Sequence, residues 1–198
     1  MPNDSPELPA TDEKARNKKI RDLQVLHTEP EAVFSNLVQL AANSCAAPIA
    51  AFGLLNKENY WHKARHHWPI EDAPNAESPC AIIAVRGQSI IADNAEANSD
   101  LSGLSCVKSK TLAAYAGVPI VMDGISVGCL AVADESAREF SDAQTQSLKL
   151  LAEQIALQLA QRGRLAELES ENSELLIQEL GAELAEEKYR SIFEHVQE

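Results

Sequence analysis

The sequence predicts an α+β domain, layered α/β/α around a central antiparallel sheet and ending in one long helix. Three observations carry this. Two apolar runs meet at Asp123-Gly124, a two-residue hairpin turn in which both positions tolerate positive φ. The run "PIAAFGLLN", Pro48 to Asn56, is continuously apolar and of strand length, so something must cover both of its faces. From Ser141 onward, apolar residues recur at helical spacing past the length one domain can cover.

The elements follow in order. "RDLQVLHTEPEAVFSNLVQLAANSC" places Leu23, Leu26, Val33, Phe34, Leu37, Val38 and Ala41 on one face, a helical pattern that Pro30 divides into a short turn and a longer helix. The strand at "PIAAFGLLN" turns at Lys57-Glu58 into "NYWHKARHHW", whose alternation sets Tyr60, His62, Ala64 and His66 against Trp61, Lys63, Arg65 and His67. "PIEDAPNAES" reads as loop. "SPCAIIAVRG" reads as a short helix capped by Ser78, with Pro79 in its first turn and Gly87 closing it. "QSIIAD" is a short strand, and "NAEANSDLSGLSCVKSK" is irregular with a helical turn.

The Asp123-Gly124 hairpin comes next. Its returning strand, "ISVGCLAVAD", puts Ile125, Val127, Cys129 and Ala131 on one face and Leu130 and Val132 on the other, and Pro119 in the outgoing strand implies an edge or a bulge. Ser141 and Gln144 make a capping box. Leu148, Leu151, Ala152, Ile155 and Leu159 form the stripe that packs on the sheet. Leu165, Leu168, Asn172 and Leu175 then take a/d spacing, with an Asn at a setting register and a two-stranded state. After Leu176 the step changes to four, through Leu180 and Leu184, a stutter in the seam. A helix unbroken from Ser141 to Arg190 is about 75 Å long, so a homodimer through this helix is expected.

Composition narrows the classes. The chain has 198 residues, 45% of them hydrophobic, and a net charge of −13. That balance argues against nucleic acid and anionic membrane as partners. No apolar run reaches membrane-span length, and the amino-terminal stretch lacks the apolar core of an export signal. A cytoplasmic location is the expectation. Cys45, Cys80, Cys106 and Cys129 lie far apart in sequence, without the paired spacing of a zinc site or a disulfide framework. The histidines His62, His66 and His67 lack carboxylate or cysteine partners at matching spacing, so a wet polar strand face is expected rather than a metal site. No nucleophile–base pair or phosphate loop occurs, and no catalytic residue is assigned.

Two stretches carry a family resemblance. "SPCAIIAVRGQSIIADNAEANSD" and "YAGVPIVMDGISVGCLAVADESAREFSDAQ" resemble the GAF domain, in which a cysteine-containing helix precedes a V-x-D-A strand end and a Y-x-G-x-P-L hairpin leads to G-x-L-x-V-x-D and F-S. The closing "EEKYRSIFEHVQE" resembles the opening helix of a PAS domain. Composition, spacing and the resemblance together divide the chain into four expected segments: a disordered stretch over 1–19, from its polar, proline-containing composition; a GAF domain over 20–162; a coiled-coil signalling linker over 163–188, from its a/d spacing; and the start of a truncated PAS domain over 189–198. It implies a GAF-like sheet with terminal helices on one face and the irregular segment, where family ligands lie, on the other.

The implied role is a sensory module of a multi-domain bacterial-type signalling receptor, taking an unidentified small molecule. Phe52, Cys80, Cys106 and Tyr115 are the ligand-side candidates, and Leu165, Leu168, Asn172 and Leu175 the dimerisation set. No cofactor can be named. Cys106 is followed by Val107 rather than the His common in bilin-binding relatives, which disfavours a covalent tetrapyrrole. Asp134-Glu135 and Ala143-Gln144 depart from the cyclic-nucleotide pattern. Two alternatives stand beside the sensor: a dimerising spacer without ligand, and a free methionine sulfoxide reductase using Cys80 and Cys106.

Overall fold

The computed structural model describes residues 13–70 and 73–184 in full, and the backbone of 185–196. The chain divides into two compact units, Met1–Ala160 and Gln161–Glu198. The first is built on a six-stranded sheet, with strands β1 (Ile49–Leu55), β2 (Asn59–His66), β3 (Ala73–Pro74), β4 (Ile90–Ala92), β5 (Ala114–Met122) and β6 (Ile125–Asp134) in the order β3-β2-β1-β6-β5-β4. Every pairing is antiparallel. The helices are α1 (Glu13–Asp22), α2 (Ala32–Ser44), α3 (Pro79–Arg86), α4 (Ser105–Lys108) and α5 (Asp142–Val196). Among the described residues no helix is long and apolar enough to cross a membrane.

β1 and β6 are the middle strands, and β1 is buried along its whole length. One face of the sheet packs on α1, α2 and the first turns of α5 through Ile20, Phe34, Val38, Leu148, Ile155 and Leu159. The other face carries α3, α4 and the irregular segment between them through Ile83, Ala84, Leu101, Val107 and Leu112. Local sequence sets the ends of these elements. Asp123 (φ 50°) and Gly124 (φ 76°) both adopt the left-handed region the hairpin demands. Ser78 Oγ accepts from Ala81 N at 3.3 Å, and Gly87 closes α3 at φ 69°. The capping box of α5 forms, with Ser141 N donating to Gln144 Oε1 at 3.0 Å and Gln144 N to Ser141 Oγ at 3.3 Å. Pro119 sits on β5 beyond the last residue that β4 pairs, so its missing N–H faces no neighbouring strand.

Several expectations need correction. Residues 13–19 belong to α1 instead of a disordered stretch; Ile20 anchors that helix in the core, and residues 1–12 lie outside the described residues. His62 is not on a wet face: it is 8% exposed. The alternation in β2 breaks because Phe52 pairs with Ala64 while Gly53 pairs with His62, leaving Lys63 as the extra residue of a bulge. Lys63 and Ala64 therefore share the helix-side face with Trp61. A second bulge, at Val127 opposite Ile120 and Val121, does the same in β6. It puts Val127 with Leu130 and Val132 on the helix side, and Cys129 and Ala131 on the other.

The Lys63 bulge has a partner set of its own. The ammonium group has no exposed side-chain surface, and it donates to Thr28 Oγ1 (2.7 Å) and the Glu29 carbonyl (2.6 Å) and pairs with Glu31 (2.8 Å). It thus fastens the α1–α2 connection to the sheet. Lys63→Met keeps the apolar stem but strands these acceptors. A loss of about 2 kcal/mol is expected, because Glu31 is partly solvated while the other acceptors are less so. Urea titration checks this, with the midpoint falling and the slope unchanged.

Candidate functional site

The face of the sheet opposite α1, α2 and α5 gathers three cysteines and several polar aromatic side chains. Tyr60 and His62 project from β2, Tyr115 from β5 and Cys129 from β6; α3 adds Cys80, α4 adds Cys106, and Trp68 follows β2. Cys80 and Cys129 are both 0% exposed. Cys80 occupies the first turn of α3, directly after Pro79, because the Ser78 cap and Pro79 start the helix there. Two contacts hold the irregular segment over this face. Arg86 grips Asp100 through both of its terminal nitrogens (2.5 and 2.9 Å), and Ser105 N donates to Glu77 Oε2 (3.1 Å).

The polar groups form one connected cluster. The Tyr115 hydroxyl lies 3.3 Å from Cys80 Sγ and 3.8 Å from Cys129 Sγ. The Tyr60 hydroxyl donates to the Gly53 carbonyl at 2.6 Å and accepts from Cys129 N at 2.9 Å. The His62 ring stands edge-on to Tyr60, with centroids 5.2 Å apart, and lies 5.6 Å from Trp68. The Trp68 indole N–H is buried and finds no acceptor among the described residues.

Electrostatics separates the three thiols on this face. Burial pushes Cys80 up, but hydrogen bonds with Cys129 and His62, the His62 charge and the Tyr115 hydroxyl outweigh it and bring the thiol down to about 6. Cys129 is pushed well up, by burial first and then by its hydrogen bond to Cys80. Burial also raises Cys106. The two tyrosine hydroxyls are held well above their ordinary value, again by burial first. Cys80 is thus the thiol most ready to ionise. Among the described residues no group of three His, Cys, Asp or Glu could hold a metal ion.

Of the four ligand-side candidates, the structure brings Cys80, Cys106 and Tyr115 to one face and removes Phe52 from it. Phe52 points to the helix side, its ring 5.4 Å from Phe34. Even-numbered residues of β1 face the helices there, and a strand buried on both sides gives no pattern by which to tell. Sequence reasoning missed Tyr60, His62, Trp68 and Cys129 as members of the cluster. In the second unit, Leu165, Leu168 and Leu175 are exposed along the helix, as are Leu176, Ile177, Leu180 and Leu184. Asn172 lies on the same exposed stretch.

Residues 27–160 match the family model described as GAF domain. No curated protein matches the sequence significantly. The chain is similar to the solved GAF domain from Acinetobacter phosphoenolpyruvate-protein phosphotransferase, at 14% identity over 78% of this chain and 96% of that one, with a TM-score of 0.58. It is similar to the free methionine-R-sulfoxide reductase from Neisseria meningitidis in complex with its substrate (18% identity, 82% of this chain, 98% of that one, TM-score 0.56). It is also similar to the blue-light absorbing form of the Thermosynechococcus elongatus PixJ GAF domain (18%, 80%, 95%, TM-score 0.54). At these identities the likeness establishes the fold, and nothing about ligand or activity travels with it.

Proposed function

Because the chain belongs to the GAF domain family, we propose that it is a sensory or regulatory module whose ligand-side face biases the packing of the sheet and whose α5 helix relays that bias through a homodimer. The observation that carries this reading is the change of character along α5. Leu148, Ala152, Ile155 and Leu159 are buried, while Leu165, Leu168 and Leu175 are exposed at a/d spacing. A row of exposed leucines on a helix calls for a partner. Charge supports a parallel pair in register. With Leu165 and Asn172 at a and Leu168 and Leu175 at d, Arg164 falls at g and Glu169 at the following e, so opposite charges face each other across the seam.

A small molecule bound near Cys80, Cys106 and Tyr115 would act by favouring one of two packings, since a ligand shifts an equilibrium only by its differential affinity. The stretch at 189–198 supports a PAS domain as the receiver of the signal. The reductase alternative, resting on Cys80 and Cys106, is the weaker reading: both thiols are shielded, and burial keeps Cys106 protonated. Asn172→Leu tests the relay helix. It replaces a polar a residue by an apolar one and is expected to tighten the pair by tenfold or more at about 1.4 kcal/mol per decade. Sedimentation equilibrium reads the change, and a monomer both before and after the substitution would remove the dimeric relay.

A further inference from the structure

The cluster on the ligand-side face points to a chemistry of its own: we infer that Cys80 and Cys129 form a peroxide-reactive dithiol, which hydrogen peroxide converts to an intrachain disulfide tying α3 to β6. The inference goes beyond the relay reading and does not depend on it. Three features of the geometry carry it. The two thiols come from different elements, α3 and β6, yet share one hydroxyl, that of Tyr115, at 3.3 and 3.8 Å. A disulfide brings its two sulfurs to about 2 Å of each other, so forming it draws α3 toward β6. The surroundings supply hydrogen-bonding groups for an anionic sulfur and its leaving groups: the Tyr115 hydroxyl, His62 beside Cys80, and the Trp68 indole N–H packed on His62. The other two cysteines are placed differently. Cys45 lies on the opposite face of the sheet, and Cys106 sits on α4, while the Tyr115 hydroxyl contacts Cys80 and Cys129.

The reaction balances with peroxide as the only oxidant. The Cys80 sulfur attacks one peroxide oxygen, the O–O bond breaks, and the departing hydroxide leaves as water with the thiol proton. Cys80 is then a sulfenic acid. The Cys129 sulfur attacks that sulfenic sulfur, the S–S bond forms, the S–O bond breaks, and a second water carries away the Cys129 proton. Two electrons pass from two thiols to one peroxide. The order of events follows from the site. Cys80 ionises first, while burial and then the neighbouring Cys80 sulfur hold the proton on Cys129. Oxidation of Cys80 removes its charge and with it the part of the hold on the Cys129 proton that Cys80 exerts. Both sulfurs are shielded from solvent, which restricts the reaction to an oxidant as small as hydrogen peroxide. The disulfide would pin α3 against the sheet, on the face where a ligand is proposed to act.

The test uses the whole chain, fully reduced, exposed to a small excess of hydrogen peroxide, alkylated under denaturing conditions and mapped by peptide mass spectrometry. Expected are a Cys80–Cys129 linked peptide, an intact mass lower by about 2 Da, alkylatable thiols falling from four to two, and full reversal by dithiothreitol. In Cys129→Ala the resolving thiol is gone, and Cys80 should stall as a sulfenic acid that dimedone captures. A link between Cys80 and Cys106, an intermolecular disulfide in its place, or four intact thiols under peroxide that oxidises free cysteine would each overturn the inference. Should Cys129→Ala fail to fold, the linked peptide of the unmodified chain still decides, because it names the pair. A negative result leaves the relay helix untouched, since its readout is association and not thiol state.

Discussion

Gly128→Ala is expected to cost about 4 kcal/mol of stability, lowering the thermal midpoint by roughly 10 °C or more. The reason lies in the two middle strands. Gly128 of β6 faces Leu54 of β1, and a Cβ built on it would stand 2.1 Å from the Gly53 carbonyl oxygen and 3.1 Å from the Gly53 carbonyl carbon. That obstacle is backbone, so no rotamer change relieves it, and β1 and β6 would have to separate. Both strands are covered on each face by packed side chains, so a separation there opens both layers of the core. Overpacking of an ordinary core costs about 1–3 kcal/mol, and a clash with a middle strand belongs above that range. A domain of this size holds about 5–15 kcal/mol in total, which makes partial unfolding at moderate temperature the visible outcome. Gly103→Ala is the control: nothing lies within 4 Å of its added carbon, and a change within about 0.5 kcal/mol is expected. Thermal and urea melts of the two variants should separate cleanly, and a Gly128→Ala melt matching that of Gly103→Ala would show the strands to be more yielding than their geometry implies.

What could be read in the sequence was local, and what could not depended on phase. The Asp123-Gly124 turn, the Ser78 and Ser141 caps and the Gly87 stop each announce themselves within four residues, because capping and positive φ are chemistry of neighbours. The stripe from Leu148 to Leu159 was equally legible, since a helix with one wet face fixes its own periodicity. The bulges at Lys63 and Val127 were not. A bulge shifts all later residues to the other face. In strands buried on both sides no polar residue marks the change. The same blindness misplaced Phe52 and hid Cys129, whose membership in the cluster depends on the Val127 bulge turning it away from the helices. Lys63 misled in another way. A lysine signals solvent by default, and here it is buried because the α1–α2 connection supplies three acceptors, on Thr28, Glu29 and Glu31.

Tyr60→Phe is expected to remove about 3 kcal/mol, although it deletes a single oxygen. That oxygen sits inside the sheet. The Tyr60 hydroxyl bridges the Gly53 carbonyl of β1 and Cys129 N of β6, donating to the first at 2.6 Å and accepting from the second at 2.9 Å. The ring can lie there because Gly53 has no side chain: a Cβ at that position would meet the Tyr60 ring at 2.5 Å. Glycine and tyrosine are thus one device, the first clearing the space and the second supplying hydrogen bonds to both middle strands. Deleting the hydroxyl leaves a backbone donor and a backbone acceptor facing each other in the driest part of the core, each worth about 1–3 kcal/mol when unsatisfied. Urea titration reads the total, and hydrogen exchange at the Cys129 amide reads the site, where protection should fall further than at neighbouring β6 amides. A loss below about 1 kcal/mol with that amide still protected would mean that the Gly53 carbonyl and Cys129 N close directly once the oxygen is gone, and that Tyr60 fills space without completing the sheet.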